Sequence, residues 1–360
     1  MKYGKNLNEL AAEVMRQTEA KRDLVAPVTA VEVLNPNAMS LQGIEGALTI
    51  GGETHHQIAT DAGIPLQFYD RLRAQHPDLY TNTVNTLVRA IPAPKGQPVA
   101  RRMVRTLDGN ARAWLSDSYR PLDNYELLNA ALPTLSEFGD ALQFRSMELT
   151  ARKLYLKVIT RELSAEVVGK EVRGGVIISN SETGYGRIMV APFSEVLYCT
   201  NGAVHMEYGM GKRHAGRRSV TGEGNGEDEA FEFFTDETRR KDDEAFFMKV
   251  RDLIKATLSS EVFGRVVNGM REAAGVKITG SVEKGVEVLA KRYQMTEGER
   301  SDVLRHLIEG GDLSMWGVHN AVTRAAADVE SYDRATELES IGGQLLTLPA
   351  ADIKPILMAA

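Results

Sequence analysis

Read for the spacing of its apolar positions, the chain opens as a helix, breaks into short extended pieces, and closes as a succession of helices. Leu7, Leu10, Ala11, Val14 and Met15 recur at helical spacing behind an Asn6/Glu9 capping box, so residues 1–24 are expected to be helical. From Val25 to Gly52 extended pieces are punctuated by Pro27, Pro36, Gly43, Gly46 and Gly51-Gly52. Thr54 to Asn85 returns to helix. Within it, Gln57 to Leu72 has the outline of a helix-turn-helix, with Ala59 and Gly63 four apart and a second helix opening near Pro65. A packed helical hairpin competes with that reading, because Gln67, Asp70, Arg71 and Gln75 on the second helix include one cation.

Ile91 to Pro98 reads as a proline-rich hinge. Beyond it, Val99–Leu107 and Ala111–Ser116 flank Asp108-Gly109-Asn110, a hairpin turn. Asp123 is placed to cap a helix running to about Leu135. Ala141–Leu149 and Lys153–Thr160 form a second antiparallel pair. There Leu154, Leu156 and Val158 alternate with Tyr155, Lys157 and Ile159, so both faces are expected to be covered. Residues 162–172 make a connecting excursion. Three apolar runs follow, Val176–Ser179, Arg187–Val190 and Phe193–Tyr198, the last ending on Cys199-Thr200-Asn201-Gly202, read as a strand-end turn. From Thr235 onward helices are expected near 236–258, 260–273, 281–293, 297–309 and 314–329, with a capping box at Thr296/Glu299 and Trp316 as an anchor; a last helix lies around Tyr332–Ser340. The pattern predicts an α+β fold: a twisted, mainly antiparallel β-sheet core with packed helices, followed by a largely α-helical C-terminal part. Its expected regions are 1–90 (helical and mixed), 91–225 (β-rich and basic) and 226–360 (helical).

Composition narrows the chemistry. A chain of 360 residues can build a large core without covalent staples, and its single cysteine excludes an internal disulfide or a cysteine-rich zinc site. No apolar run approaches a membrane span, and the start lacks an apolar leader, so a cytoplasmic protein is expected. There is no phosphate loop or dinucleotide fingerprint, no histidine spacing of a metal hydrolase, and the acidic stretch Glu223–Glu229 is too soft to fix a metal. Cys199 ends an apolar strand and reads as an inert thiol. No catalytic residue, cofactor or metal is therefore expected.

Charge is uneven. Net charge is −6, yet Ile91–Val220 holds 18 Lys/Arg against 13 Asp/Glu, a local +5 that leaves −11 elsewhere. Two groups stand out. Arg101, Arg102, Arg105, Arg112 and Arg120 lie on or beside the Asp108-Gly109 hairpin with Trp114 and Tyr119. Lys212, Arg213, His214, Arg217 and Arg218 form a glycine-punctuated loop, with Tyr185 in the turn before it. Cations along a groove with rings for bases are what a single nucleic-acid strand requires.

Several stretches resemble a phage and plasmid family catalogued as the domain of unknown function numbered nine-three-two. They are His56-Gln-Ile-Ala-Thr-Asp-Ala-Gly-Ile-Pro65, Tyr69-Asp-Arg-Leu72 with Val84-Asn85, Arg112-Ala-Trp-Leu-Ser-Asp-Ser-Tyr-Arg-Pro-Leu-Asp-Asn124, Asn180-Ser-Glu-Thr-Gly-Tyr-Gly186, Cys199-Thr-Asn-Gly202, Arg213-His214 and Trp316-Gly-Val-His-Asn-Ala-Val-Thr-Arg324. Remote similarity links that family to the phage single-strand annealing proteins. The resemblance implies a twisted sheet crossed by a helix, assembly into rings or filaments, and ATP-independent binding of single-stranded DNA during recombination. The partners it implies are single-stranded DNA, further copies of the chain, and a phage exonuclease or host single-strand-binding protein. A sequence-specific regulator using residues 57–72, or an anti-defence or host-takeover interaction protein, are the alternatives.

Overall fold

The computed structural model describes residues 2–94, 96–197, 201–212 and 235–359. Helix α1 (Leu7–Ala20) starts at the expected capping box, Asn6 and Glu9 satisfying each other's backbone amides. Strands β1 (Arg22–Pro27), β2 (Val31–Asn35), β3 (Ala38–Leu41) and β4 (Ala47–Ile50) follow, then helices α2 (Gly52–Asp61), α3 (Leu66–Gln75) and α4 (Pro77–Arg89). The hairpin β5 (Arg101–Leu107) and β6 (Asn110–Ser116) turns on Asp108 at φ 51° and Gly109 at φ 75°, the paired positive angles of a type I′ turn. These six strands make one sheet in the order β1-β5-β6-β4-β3-β2, antiparallel apart from the β4–β6 pair.

The β5–β6 hairpin thus belongs with the N-terminal strands, and a boundary at residue 91 would cut through this sheet. Among the described residues, the apolar core under the first sheet draws on Leu24 to Trp114 and shares no residue with the other cores. Residues 22–116 are a compact unit inserted between α1 and α5 (Asn124–Ser136), which pack together on the second sheet through Leu10, Val14, Leu127 and Leu128.

The second sheet contains β7 (Leu142–Leu149), β8 (Leu154–Val167), β9 (Lys170–Asn180), β10 (Ile188–Val196), β11 (Asn201–Val204) and β12 (Met210–Lys212), in the order β11-β10-β9-β8-β7 with β12 also on β10. Both faces are covered, as the alternation in β8 requires. Leu154, Leu156 and Val158 face α1, α5 and α6 (Asp236–Thr257); Tyr155 and Ile159 share the opposite core with Tyr332.

Two expectations are corrected here. The runs expected at 187–190 and 193–198 fall, from Ile188 to Val196, in one strand, because Pro192 lies between the stretch that pairs with β12 and the stretch that pairs with β11. No ladder bond needs its missing N–H there, and its carbonyl accepts from the His205 amide at 2.9 Å. Asn201 and Gly202 are not a turn but the start of β11, opposite Val196 and Glu195.

The rest is helical: α7 (Ser260–Gly275), α8 (Val282–Arg292), α9 (Glu297–Gly310), α10 (Met315–Ala325) and α11 (Tyr332–Leu345) fall on the expected segments, whereas α12 (Ala350–Leu357) lies beyond the helix expected to be last. The Thr296/Glu299 capping box is present, and Trp316 is buried in the helical core. Helix α11 lies directly on β11, where a side chain at Gly343 would collide with the Val204 carbonyl.

Candidate nucleic-acid interface

The hairpin arginines are positioned by their strands but are occupied. Arg102 forks onto Asp61 at 2.7 and 2.8 Å, and Asp61 also accepts from the Trp114 indole N–H at 2.7 Å. Arg105, fully buried, donates to Asp23 at 2.7 Å, Asp123 at 2.8 Å and the Glu182 carbonyl at 3.0 Å. Arg112 reaches the Glu182 carboxylate at 2.7 Å, so Arg105 and Arg112 both face Glu182 in the loop after β9. Arg120 pairs with Asp242 at 2.6 Å and with Asp243 on α6. Arg101 is the exposed member, its guanidinium donating to the Val25 carbonyl at 3.1 Å.

The aromatic candidates are also engaged. Trp114 is buried in the first core. The Tyr119 hydroxyl donates to the Ser181 carbonyl at 2.9 Å, and that of Tyr185 to the Glu53 carbonyl at 3.0 Å. Burial raises the pKa of both phenols, and each stays protonated. The hairpin wall is therefore a seam between the two sheets, built on the loop Asn180–Gly186. Asp123 does not cap α5 with its side chain; burial alone would raise its pKa, but Arg105 and Lys21 hold it lower and hold the carboxylate to themselves. The Glu182 carboxylate caps α5 instead, accepting from the Asn124 amide at 2.7 Å.

A different corner keeps its cations. Arg187, exposed, precedes β10, and the Lys153 ammonium lies 3.4 Å from where a Gly186 side chain would begin. Neither makes an ion pair with a described residue. Strand register places Lys212 opposite Ile188, the residue after Arg187. Arg213, His214, Arg217 and Arg218 lie outside the described residues, as do Cys199 and the acidic stretch Glu223–Glu229. Lys153 and Arg187 do not stand out in the sequence, Lys153 having only Arg152 beside it and Arg187 standing alone; the signal is that each immediately precedes a strand of the same sheet.

Two other constellations fail as sites. The Ser194 hydroxyl lies 2.8 Å from His205 Nε2, and Glu207 lies 3.9 Å from Nδ1, the order of a hydrolytic triad. Ser194 and His205 are buried inside the second sheet, and burial, with His319 nearby, drives the imidazole down to about 3. It is a core polar pair. His55 is buried against Tyr69 and Tyr80, and no group of three metal-ligating side chains occurs among the described residues. The outer face of α3 shows Leu66, Gln67, Phe68, Arg71, Ala74 and Gln75, with Arg71 stacked over Phe68 at 5.4 Å. One exposed cation is a poor footing on duplex phosphates.

Comparison with known proteins returned nothing: no family model, no curated protein and no solved structure matches the chain significantly. No helix among the described residues is long and apolar enough to cross a membrane.

Proposed function

We propose that the chain binds single-stranded nucleic acid without reading its sequence, and acts without ATP as a homo-oligomeric strand-annealing protein in DNA recombination. The observation that supports this reading is the strand register that sets Lys212 next to Arg187, which, like Lys153, makes no ion pair with a described residue. In sequence the chain continues from Lys212 into Arg213, Arg217 and Arg218, which brings the cations of this reading to six. They begin on a rigid sheet covered on both faces, a platform that costs little ordering when a flexible strand is laid on it.

Six phosphate contacts to a single strand imply a log–log salt slope of about −4, or a few hundredfold between 50 and 200 mM salt. Fluorescence anisotropy with an oligothymidylate tests this. Arg187→Ala with Lys153→Ala is expected to weaken binding about tenfold at 100 mM salt and to flatten the slope by about 1.4. A wild-type slope near zero, or a double variant with unchanged affinity and a normal melt, overturns the reading. Electron micrographs with and without the oligonucleotide check the oligomer.

A further inference from the structure

Residues 22–116 leave and rejoin the rest of the chain at one place. Lys21, just before β1, is ion-paired with Asp123, just before α5, so both connections run through a single corner. The inserted unit has a core of its own, and a set of polar contacts joins it to the second sheet beside the packing of Leu115 against Gly184. Arg105 holds Asp123 and the Glu182 carbonyl; Arg112 holds the Glu182 carboxylate. Gln57 donates to the Thr183 carbonyl at 2.7 Å, Arg152 to Glu53 at 2.7 Å, and exposed Arg16 pairs with Asp108 at 2.9 Å. Polar contacts between separately cored units, crossed by two short connections, are the construction of a hinge.

Arg112 Nε and Glu53 Oε2 are buried at the seam and find no hydrogen-bond partner among the described residues. The charges say what would bind. When closed, the seam neutralises Arg112 entirely from across the gap, whereas Arg105 keeps Asp23 of its own unit at 2.7 Å. Opening frees an arginine fork on the inserted unit and leaves Glu182 on the other side.

We propose that residues 22–116 swing as one body about the Lys21/Asp117–Asp123 corner, and that phosphates of a single nucleic-acid strand replace Glu182 and Asp123 on Arg112 and Arg105. The closed form is then an autoinhibited one, its carboxylates holding the place of phosphate. The ligand in this inference rests on the function proposed above; the hinge does not.

Hydrogen exchange on the full chain separates the two. Glu182→Gln keeps an acceptor for the Asn124 amide but removes the charge that holds Arg112. Exchange at residues 117–123 and 181–185 is expected to rise at least tenfold, with β8 residues 156–159 unchanged. Oligothymidylate affinity is expected to rise threefold to tenfold, with a salt slope steeper by about 0.7. A folded Glu182→Gln chain whose seam exchanges as in the wild type overturns the hinge. An open seam without tighter binding, in a protein that binds the oligonucleotide, overturns the displacement by phosphate. Binding by neither protein overturns the proposed function and the displacement together, while exchange still decides the hinge. Should Glu182→Gln fail to fold, Tyr185→Phe, which removes only the hydroxyl bond to the Glu53 carbonyl, serves the same measurements with a smaller expected rise.

Discussion

His55 Nδ1, the Tyr69 hydroxyl and the Tyr80 hydroxyl close a buried triangle, with edges of 2.9, 2.7 and 3.3 Å. Desolvation pushes the imidazole down to about 4, since a charge there could not be rehydrated. The sign follows. With the folded value below the unfolded one, the contribution is complete above about pH 6.5 and is lost as pH falls towards 4; the size is on the order of 3 kcal/mol. His55→Gln, which keeps an acceptor but cannot titrate there, is expected to flatten the melting temperature against pH in that window. An unchanged profile sinks the assignment. Lys157 and Glu339 make the opposite case, a fully buried ion pair at 2.6 Å between β8 and α11, with Thr336 accepting a second Lys157 proton at 2.9 Å. Removing one charge strands the other, so Glu339→Leu is expected to cost about 3–5 kcal/mol in urea unfolding. Glu339→Leu with Lys157→Met is expected to recover most of that loss; a double variant as weak as the single one refutes the argument.

At the scale of elements, what could be read ahead was whatever its own neighbours determine. The Asn6/Glu9 and Thr296/Glu299 boxes and the Asp108-Gly109 turn each span four residues or fewer, and their chemistry is complete within that span. Pro192 misled because its tolerance depends on β11 and β12, which come later in the chain. Asn85 could not be read at all from its helix. From α4 its amide accepts the Val33 N–H and donates to the Val33 carbonyl, both at 2.8 Å, closing the outer edge of β2 as a paired strand would. An open edge invites pairing with another chain. Asn85→Ala is expected to cost about 1–3 kcal/mol and to make the protein scatter light at concentrations where the wild type is clear. A variant with an unchanged melt and no scatter shows that the edge is protected by something else.

For the whole molecule, the α+β class was legible because periodicity switches from short extended runs to long helical ones near Thr235. The cationic hairpin was legible as charge but not as surface. Asp23, Asp61 and Glu182, which neutralise Arg105, Arg102 and Arg112, stand 82, 41 and 70 residues away from them. Nor does anything local say that α1 belongs with α5 across 22–116, since that pairing is made by Leu10 and Val14 meeting Leu127 and Leu128 in three dimensions. The insertion makes a demand that a continuous fold would not. Joining Lys21 to Asp117 through a short Gly-Ser linker removes the first sheet and α2–α4 but no apolar residue of the other cores. Lys21 still faces Asp123, and Glu182 still caps α5. The shortened chain is expected to melt cooperatively, keep its helical circular dichroism, and lose less than about 10 °C, because what it gives up across the seam is that set of polar contacts and the packing of Leu115 against Gly184. A molten or insoluble product, from a full chain that itself melts cooperatively, would mean that the two units fold as one.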